Sequence, residues 1–541
     1  MLRRKGSWQF PLPLMFGKGL ALKGVDRLMN LMRPFIFLTL ASLSLTAQET
    51  SVVKEAPKTP VTAKAEVEPY PAVEQVEAAV RKAVAFARTN LSFAGGYATK
   101  WSRDLKESRT SDTQGVALIG IEAPGTPVMG MMFVRAWLAT GDKLYLQAAR
   151  EAAAALLWTQ LASGGWSTFH DYALPSARKQ HYRRDLEAGD VERGERRAHT
   201  TLDDDKTQLA LLFLMELAHL PESKGDTTLQ AAVKFGLDAL LAAQAGNGGW
   251  PQGFSWPSDA KPLQKKPVMP KEWPKVWPNL DYTGYYTLND GNLRSVAKVL
   301  TRAHELTGEM RYLDALKKLG DFLLLAQCPE PQPGWAQQYN LEMEPAWARK
   351  FEPPCVSSLE TVGALNTLLD IWVVTGEDKY RAPFTSALAW LEKVRLPDGQ
   401  YARFQELNTD KALYFVKDTY ELTYDDSNLP THYGFKLDEL QEDIDGFKKK
   451  VAMTREELLK KAAEPATPKE WVSKAKGAAK KTVTALRDQN KEGVWTHENV
   501  IEGSLITKHL LAMVTYLEAA KKAGVAFEAF REKENPKAAS K

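Results

Sequence analysis

Four polar stretches in the second half of this 541-residue chain hold side chains that do chemistry. "TLNDGN" places Asn289, Asp290, Gly291 and Asn292 just before a helical pattern. Side-chain oxygens there serve either as a helix N-cap or as ligands for Ca²⁺, which takes oxygen donors. "GWAQQYNLEMEPAWARKFEPP" gathers Trp335, Asn340, Arg349 and Glu352 in one segment, more polar and aromatic than a plain helix explains. "YARFQELNTDKALYF" sets Arg403 between aromatics, and the irregular "YDDSNLPTHYGF" brings in His432. The 15 tryptophans of the chain suit flat ligands such as sugars, because indole packs on C–H faces and still donates one hydrogen bond. A tryptophan-rich core is the other reading of the same count.

Those stretches need a frame, and the chain repeats one. "GGYATKW", "GGWSTFHDY", "GGWPQGF", "PGWAQQY", "DGQYARF" and "EGVWTHE" each follow a helical pattern and place an aromatic after a turn. The aromatics are Tyr97, Trp166, Trp250, Trp335, Tyr401 and Trp495. Interleaved with them, "WLATGDKLYLQAA", "AHELTGEMRYLDAL" and "WVVTGEDKYRAPF" share Thr-Gly, an acidic residue and a downstream tyrosine. A glycine in that place is the expected left-handed helix C-cap. The unit is therefore a helical hairpin with Thr-Gly turns at one end and aromatic turns at the other. Stacked hairpins predict an all-α fold, an α/α toroid or incomplete α/α barrel, over residues 72–525. The aromatics then line a rim at one mouth or wedge between helices.

The flanks read differently. "MRPFIFLTLASLSLTAQET" has the charge, the apolar run and the small residues of a secretory signal, with the start at Met32, so residues 1–47 are a signal region. Its apolar run is too short to span a bilayer as a mature helix. Residues 48–71 read as a Pro/Ala/Lys/Glu linker and 526–541 as a disordered tail. Export predicts a periplasmic or secreted protein with no integral membrane segment once the signal is removed. A disulfide between Cys328 and Cys355 is left open by spacing alone. The net charge of +4 is too weak to argue for nucleic acid.

Taken in order, "GGWPQGF", "TLNDGN", "GWAQQYNLEMEPAWARKFEPP" and "YARFQELNTDKALYF" resemble the polysaccharide lyase family 10 pectate lyases. "TTLDDDKTQLALLFL" resembles that family's Asp-rich segment, and the resemblance spans roughly residues 200–435. It implies an α/α toroid that cleaves polygalacturonate, or a related uronic polysaccharide, by Ca²⁺-assisted β-elimination. Such a reaction removes the C5 proton beside the uronate carboxylate and expels the O4 oxygen; a cation on the carboxylate stabilises the developing charge. By segment order the resemblance implies Arg403 as the base. An arginine base needs neighbouring cations or alkaline conditions to reach its neutral form. It also implies Asp290 and Asn340 at the metal, and Trp250, Trp335, Arg349, Glu352 and His432 at an acidic polysaccharide bound by a monomer. Three places depart from the family: Gly291 stands where it often has a second Asn or Asp, Asn340 where it usually has Asp, and Thr431 and His432 replace its later arginine-bearing segment before an aromatic pair.

Other classes compete. A hydrolase on the same toroid would use two carboxylates about 5–9.5 Å apart, drawn from Asp204, Asp290 and Glu352. A non-catalytic sugar-binding toroid also fits the aromatic rim. A terpene cyclase is a weaker rival, suggested by "LDDD" and opposed by the export signal.

Overall fold

The computed structural model describes residues 67–255 and 265–535. The signal region, the Met32 start, most of the linker and the last residues of the tail lie outside them.

The helices come in pairs because the sequence stops and restarts them at fixed places. α1 is Val73–Phe86, α2 Thr126–Thr140 and α3 Lys143–Thr159. Between α2 and α3, Gly141 takes φ 73° and its amide closes on the Trp137 carbonyl. Asp142 then accepts from the Leu144 amide and opens the next helix. The pattern recurs. α4 (Lys206–His219) pairs with α5 (Thr227–Ala242), which Asp226 caps. α6 (Asn292–Thr307) ends at Gly308 (φ 72°) before α7 (Met310–Ala326). α8 (Ser358–Thr375) ends at Gly376 (φ 73°) before α9 (Phe384–Lys393). α10 (Leu440–Val451) and α11 (Arg455–Ala462) follow. A long hairpin of α12 (Pro468–Asp488) and α13 (Gly503–Ala523) comes next, then α14 (Val525–Glu534).

α13, α2, α4, α6 and α8 pack side by side as the inner layer, with α10 next to α8. α3, α5, α7 and α12 lie outside their partners, and α1 closes against α13. This is the expected α/α toroid. One expectation at its edge changes: residues 525–534 form α14 instead of a disordered stretch. Phe527 is fully buried there, and Phe530 packs edge-on against Tyr70 at 4.7 Å, apolar burial that a free tail would forgo.

The aromatic turns are wedges. Tyr97, Trp166, Trp250, Trp335, Tyr401 and Trp495 are all at most 1% exposed. Each indole nitrogen donates to a carbonyl near the end of the preceding outer helix: Trp166 to Leu156, Trp250 to Leu240, Trp335 to Leu323 and Trp495 to Ala485, at 2.8–2.9 Å. Those carbonyls lie near helix ends, where partners within the helix run out. The glycines beside them are forced by close approach. Gly248 has φ 94°, and a Cβ there would lie 2.1 Å from the Lys318 carbonyl oxygen.

Strands are short and gather beyond the aromatic turns. The largest such sheet near the polar segments is antiparallel: Val356–Ser357, Phe404–Gln405, Ala412–Phe415 and Leu422–Thr423, with Ser357 opposite Phe404 and Phe404 opposite Leu413. Cys328 and Cys355 are buried free thiols, and the Cys328 sulfur lies 3.5 Å from the Tyr339 hydroxyl.

Candidate active site

Two inner helices begin with the same unusual turn. Before α4, the chain leaves the pairing of Thr200–Thr201 with Gly253–Phe254 and bends through Asp203–Asp205. Asp204 and Asp205 take φ 48° and 61°. Before α6 it leaves the Tyr286–Thr287 strand and bends through Asn289–Gly291, with Asp290 and Gly291 at φ 53° and 71°. Gly291 is thus the residue best suited to its left-handed position. The paired turns bring Asp203, Asp204 and Asp290 together, each offering a carboxylate oxygen within 4.8 Å of the others. Lys206 Nζ, almost wholly buried, bonds Asp203 at 3.1 Å and Asp204 at 3.0 Å. Gln252 Nε2 donates to the other Asp203 oxygen at 2.9 Å. Surrounding protein, Asp204 and Glu360 push the Asp290 carboxyl up to about 7, against the pull of Arg403. Three crowded oxygen donors with excess negative charge are the donor chemistry of a hard divalent cation such as Ca²⁺.

Arg403 approaches from the β-sheet side. Its amide donates to the Phe435 carbonyl at 2.8 Å, and its own carbonyl accepts from Ser358 at the start of α8. The buried guanidinium donates through Nε to the Gly434 carbonyl (2.8 Å) and through Nη1 to the Tyr433 hydroxyl (3.1 Å). Its central carbon lies 4.3 Å from the Tyr433 ring centroid. Glu360, fully enclosed and bonded to Ser357, stands 3.9 Å from Nη1. Burial alone would lower the Arg403 pKa; Tyr433, Glu360, Asp290 and Glu352 outweigh it and hold the pKa above the usual arginine value.

Glu352 is the hub beside them. It is 1% exposed and accepts from Arg349 Nε (2.8 Å), Arg349 Nη2 (2.5 Å) and the Tyr433 hydroxyl (3.1 Å). Arg349 itself is half-open to solvent, and its guanidinium lies 4.9 Å from the Phe351 ring centroid. His432 is exposed; Tyr420 bonds its Nδ1, and it stands edge-on to Phe351 at 4.9 Å.

Two sequence expectations land elsewhere. Trp250 and Trp335 present no face to the mouth, because their rings are buried and their nitrogens committed to helix ends. Asn340 is occupied by its own turn: its side-chain oxygen accepts from the Glu342 and Glu344 amides, and its nitrogen donates to Glu344. The group that gathers at Asp290 is Asp203 and Asp204. Tyr433, Glu360 and Lys206 were not singled out from the sequence, although two signals were present. "TLDDDK" and "TLNDGN" share Thr-Leu-x-Asp before a helix. The residue two places after consecutive wedges is Gln252, Gln337 and Arg403, and these bond to Asp203, Tyr433 and Tyr433 respectively.

The family model of the pectic acid lyases matches residues 175–439. No curated protein matched the chain. Among solved structures, the family 10 polysaccharide lyase from Cellvibrio cellulosa, also seen as a variant with trigalacturonic acid, is 20% identical, covering 56% of this chain and 92% of its own with a TM-score of 0.40. Cellobiose 2-epimerase from Bacillus thermoamylovorans is 13% identical over 82% of this chain and 98% of its own, with a TM-score of 0.43. A glycoside hydrolase family 76 mannosidase from Bacteroides thetaiotaomicron is 10% identical over 83% and 98%, with a TM-score of 0.40.

Proposed function

We propose, from the premise that the chain is divergent and pectate lyase-like over residues 175–439, that it is an exported lyase cleaving polygalacturonate or a related uronic polysaccharide by β-elimination. The observation that carries this reading is a buried, firmly held Arg403 whose charge acts on Asp290 of the acidic trio. A uronate carboxylate and the trio repel each other, so a cation has to lie between them. Ca²⁺ held by Asp203, Asp204 and Asp290 would neutralise the uronate and stabilise charge developing on it.

In this reading Arg403 carries the proton step. In its neutral form it takes the C5 proton: the C5–H bond breaks, an N–H bond forms, the C5–H electrons become the C4–C5 double bond, and the C4–O4 bond breaks so that O4 leaves with its electrons and its sugar and takes a proton from solvent. Its acidic neighbours favour the charged form, so turnover rises toward alkaline pH as the neutral fraction grows. Gly434 and Tyr433 fix the guanidinium's direction. Arg349, clamped by Glu352, offers its free edge to a neighbouring carboxylate, and the exposed His432 borders the same path. Among the described residues no helix is long and apolar enough to cross a membrane.

A retaining hydrolase is the second reading. Asp290 with its carboxyl near 7 beside Asp204 has the form of an acid–nucleophile pair. Incubation with a panel of uronic polysaccharides decides. A lyase gives an unsaturated product absorbing in the ultraviolet; this product disappears with chelator and in Arg403→Ala. Reducing ends without that absorbance would favour the hydrolase, and neither signal would leave a sugar-binding protein.

A further inference from the structure

The helices after the matched segment carry an unusual concentration of positive charge. From Lys448 to Lys491 there are thirteen lysines and arginines against five aspartates and glutamates, in a chain whose total is only +4. α12 orders part of this charge. With 3.6 residues per turn, Lys469, Lys476, Lys480 and Arg487 fall within about 20° of one line along the helix, and 1.5 Å per residue spreads them over about 27 Å. All four are exposed. Lys476 leans over the Phe530 ring at 4.2 Å, and Arg487 bonds the adjacent Asp488. Among the described residues, no carboxylate lies in salt-bridge range of Lys469 or Lys480.

A second feature lies beside this line. Gly477 sits in the interior of α12, where glycine weakens a helix. A Cβ added there would meet nothing within 4 Å, so packing gives no reason for it. Ser473 and Thr484 fall on the same flank by helical spacing. The result is a shallow strip of small side chains bordered by a row of cations. α12 ends just before the Trp495 turn, so the row runs along the outer flank toward the mouth.

We infer that this face of α12 is a docking strip for the acidic polysaccharide itself, holding a stretch of polymer outside the mouth while another stretch is cleaved. The inference rests on the acidic-polysaccharide reading above. Lysines suit the task because they are hydrated point charges that tolerate many orientations of a partner carboxylate. Tethering the polymer raises its effective concentration at the mouth without adding a contact there.

The test uses the full chain in native electrophoresis through gels containing polygalacturonate, with chelator present to silence any metal-bridged binding at the mouth. Retention should be strong at low salt and fall as salt screens the lysines. The combined variant Lys469→Gln, Lys476→Gln, Lys480→Gln, Arg487→Gln should bind the polymer about tenfold more weakly, from four partly screened contacts. Its KM should rise on polymer and stay unchanged on a trimer too short to span both places. Gly477→Leu, with every charge kept, should also reduce retention by filling the strip. Wild-type retention in the fourfold variant would overturn the inference, as would retention on anionic lipid vesicles with none on polygalacturonate. A protein without lyase activity whose fourfold variant still loses retention would sink the catalytic reading and keep the strip.

Discussion

Replacing Trp250 separates a wedge from a sugar platform. The ring is fully buried, and its nitrogen donates to the Leu240 carbonyl at 2.9 Å. Trp250→Phe keeps an aromatic ring in the slot but removes the donor, leaving a carbonyl near the end of α5 without that partner. An unsatisfied buried group of this kind costs about 1–3 kcal/mol. Trp250→Ala also empties the slot, for a total of about 3–5 kcal/mol. Thermal unfolding should therefore rank wild type above Trp250→Phe above Trp250→Ala. Initial rates on polygalacturonate complete the test, read on the Phe variant alone, because the Ala variant also loosens Gln252, which holds Asp203. The Phe variant should keep the wild-type KM. A Phe variant that melts like wild type and shows a KM raised tenfold would mean that the indole meets substrate, and the wedge argument would fail.

Tyr433→Phe removes the hydroxyl that accepts from Arg403 and donates to Glu352; kcat should fall about tenfold with little change in KM. An unchanged kcat would show that Gly434 alone orients the arginine. Asn340→Asp should leave Ca²⁺ affinity unchanged in titration calorimetry and slightly lower the melting temperature, because the new carboxylate meets Glu344. A clear gain in affinity would return that loop to the metal. His170 is buried and its pKa is depressed to about 4, mainly by burial and then by Arg184, with Asp171 opposing. Unfolded histidine titrates near 6.5, so the neutral ring's contribution is complete above that pH and is lost as pH falls toward 4. The loss amounts to about 2 kcal/mol by pH 5. His170→Phe should narrow the drop in melting temperature between pH 7 and pH 5, and an undiminished drop would locate the acid sensitivity elsewhere.

The fold was legible because its punctuation is local. Gly141, Gly308 and Gly376 all take the left-handed C-cap conformation that the Thr-Gly pattern predicts. The site was legible only in pieces. Asp290 and Arg403 stand out in their own segments, but what surrounds them comes from other hairpins. Asp203 and Asp204 arrive from a turn 86 residues earlier than its twin, and Glu360 from inside the first turn of α8. Trp250 and Trp335 misled because the same amphipathic ring serves as a sugar platform or a packing wedge, and only burial tells them apart. The amide at residue 340 is used by its own turn: its oxygen makes an Asx-type turn that competes with ligation, and its nitrogen donates to Glu344, a bond that an aspartate could not make.

The two ends of the ring are clasped. Glu68 accepts from Asn535 Nδ2 at 2.7 Å, Asn535 Oδ1 accepts from the Tyr70 amide at 3.1 Å, and the Tyr516 hydroxyl on α13 donates to the Pro71 carbonyl at 2.7 Å. A run of hairpins whose two ends adjoin has no architectural need to begin where it does. Joining residue 535 to residue 68 through a short linker and opening the chain at the exposed turn around Gly225, between α4 and α5, would give a circular permutant with every helix intact. In that permutant Asp203 and Asp204 would stand just before the last α-helix of the chain, and Arg403 would precede them. Their meeting at the mouth would then owe nothing to the order of synthesis.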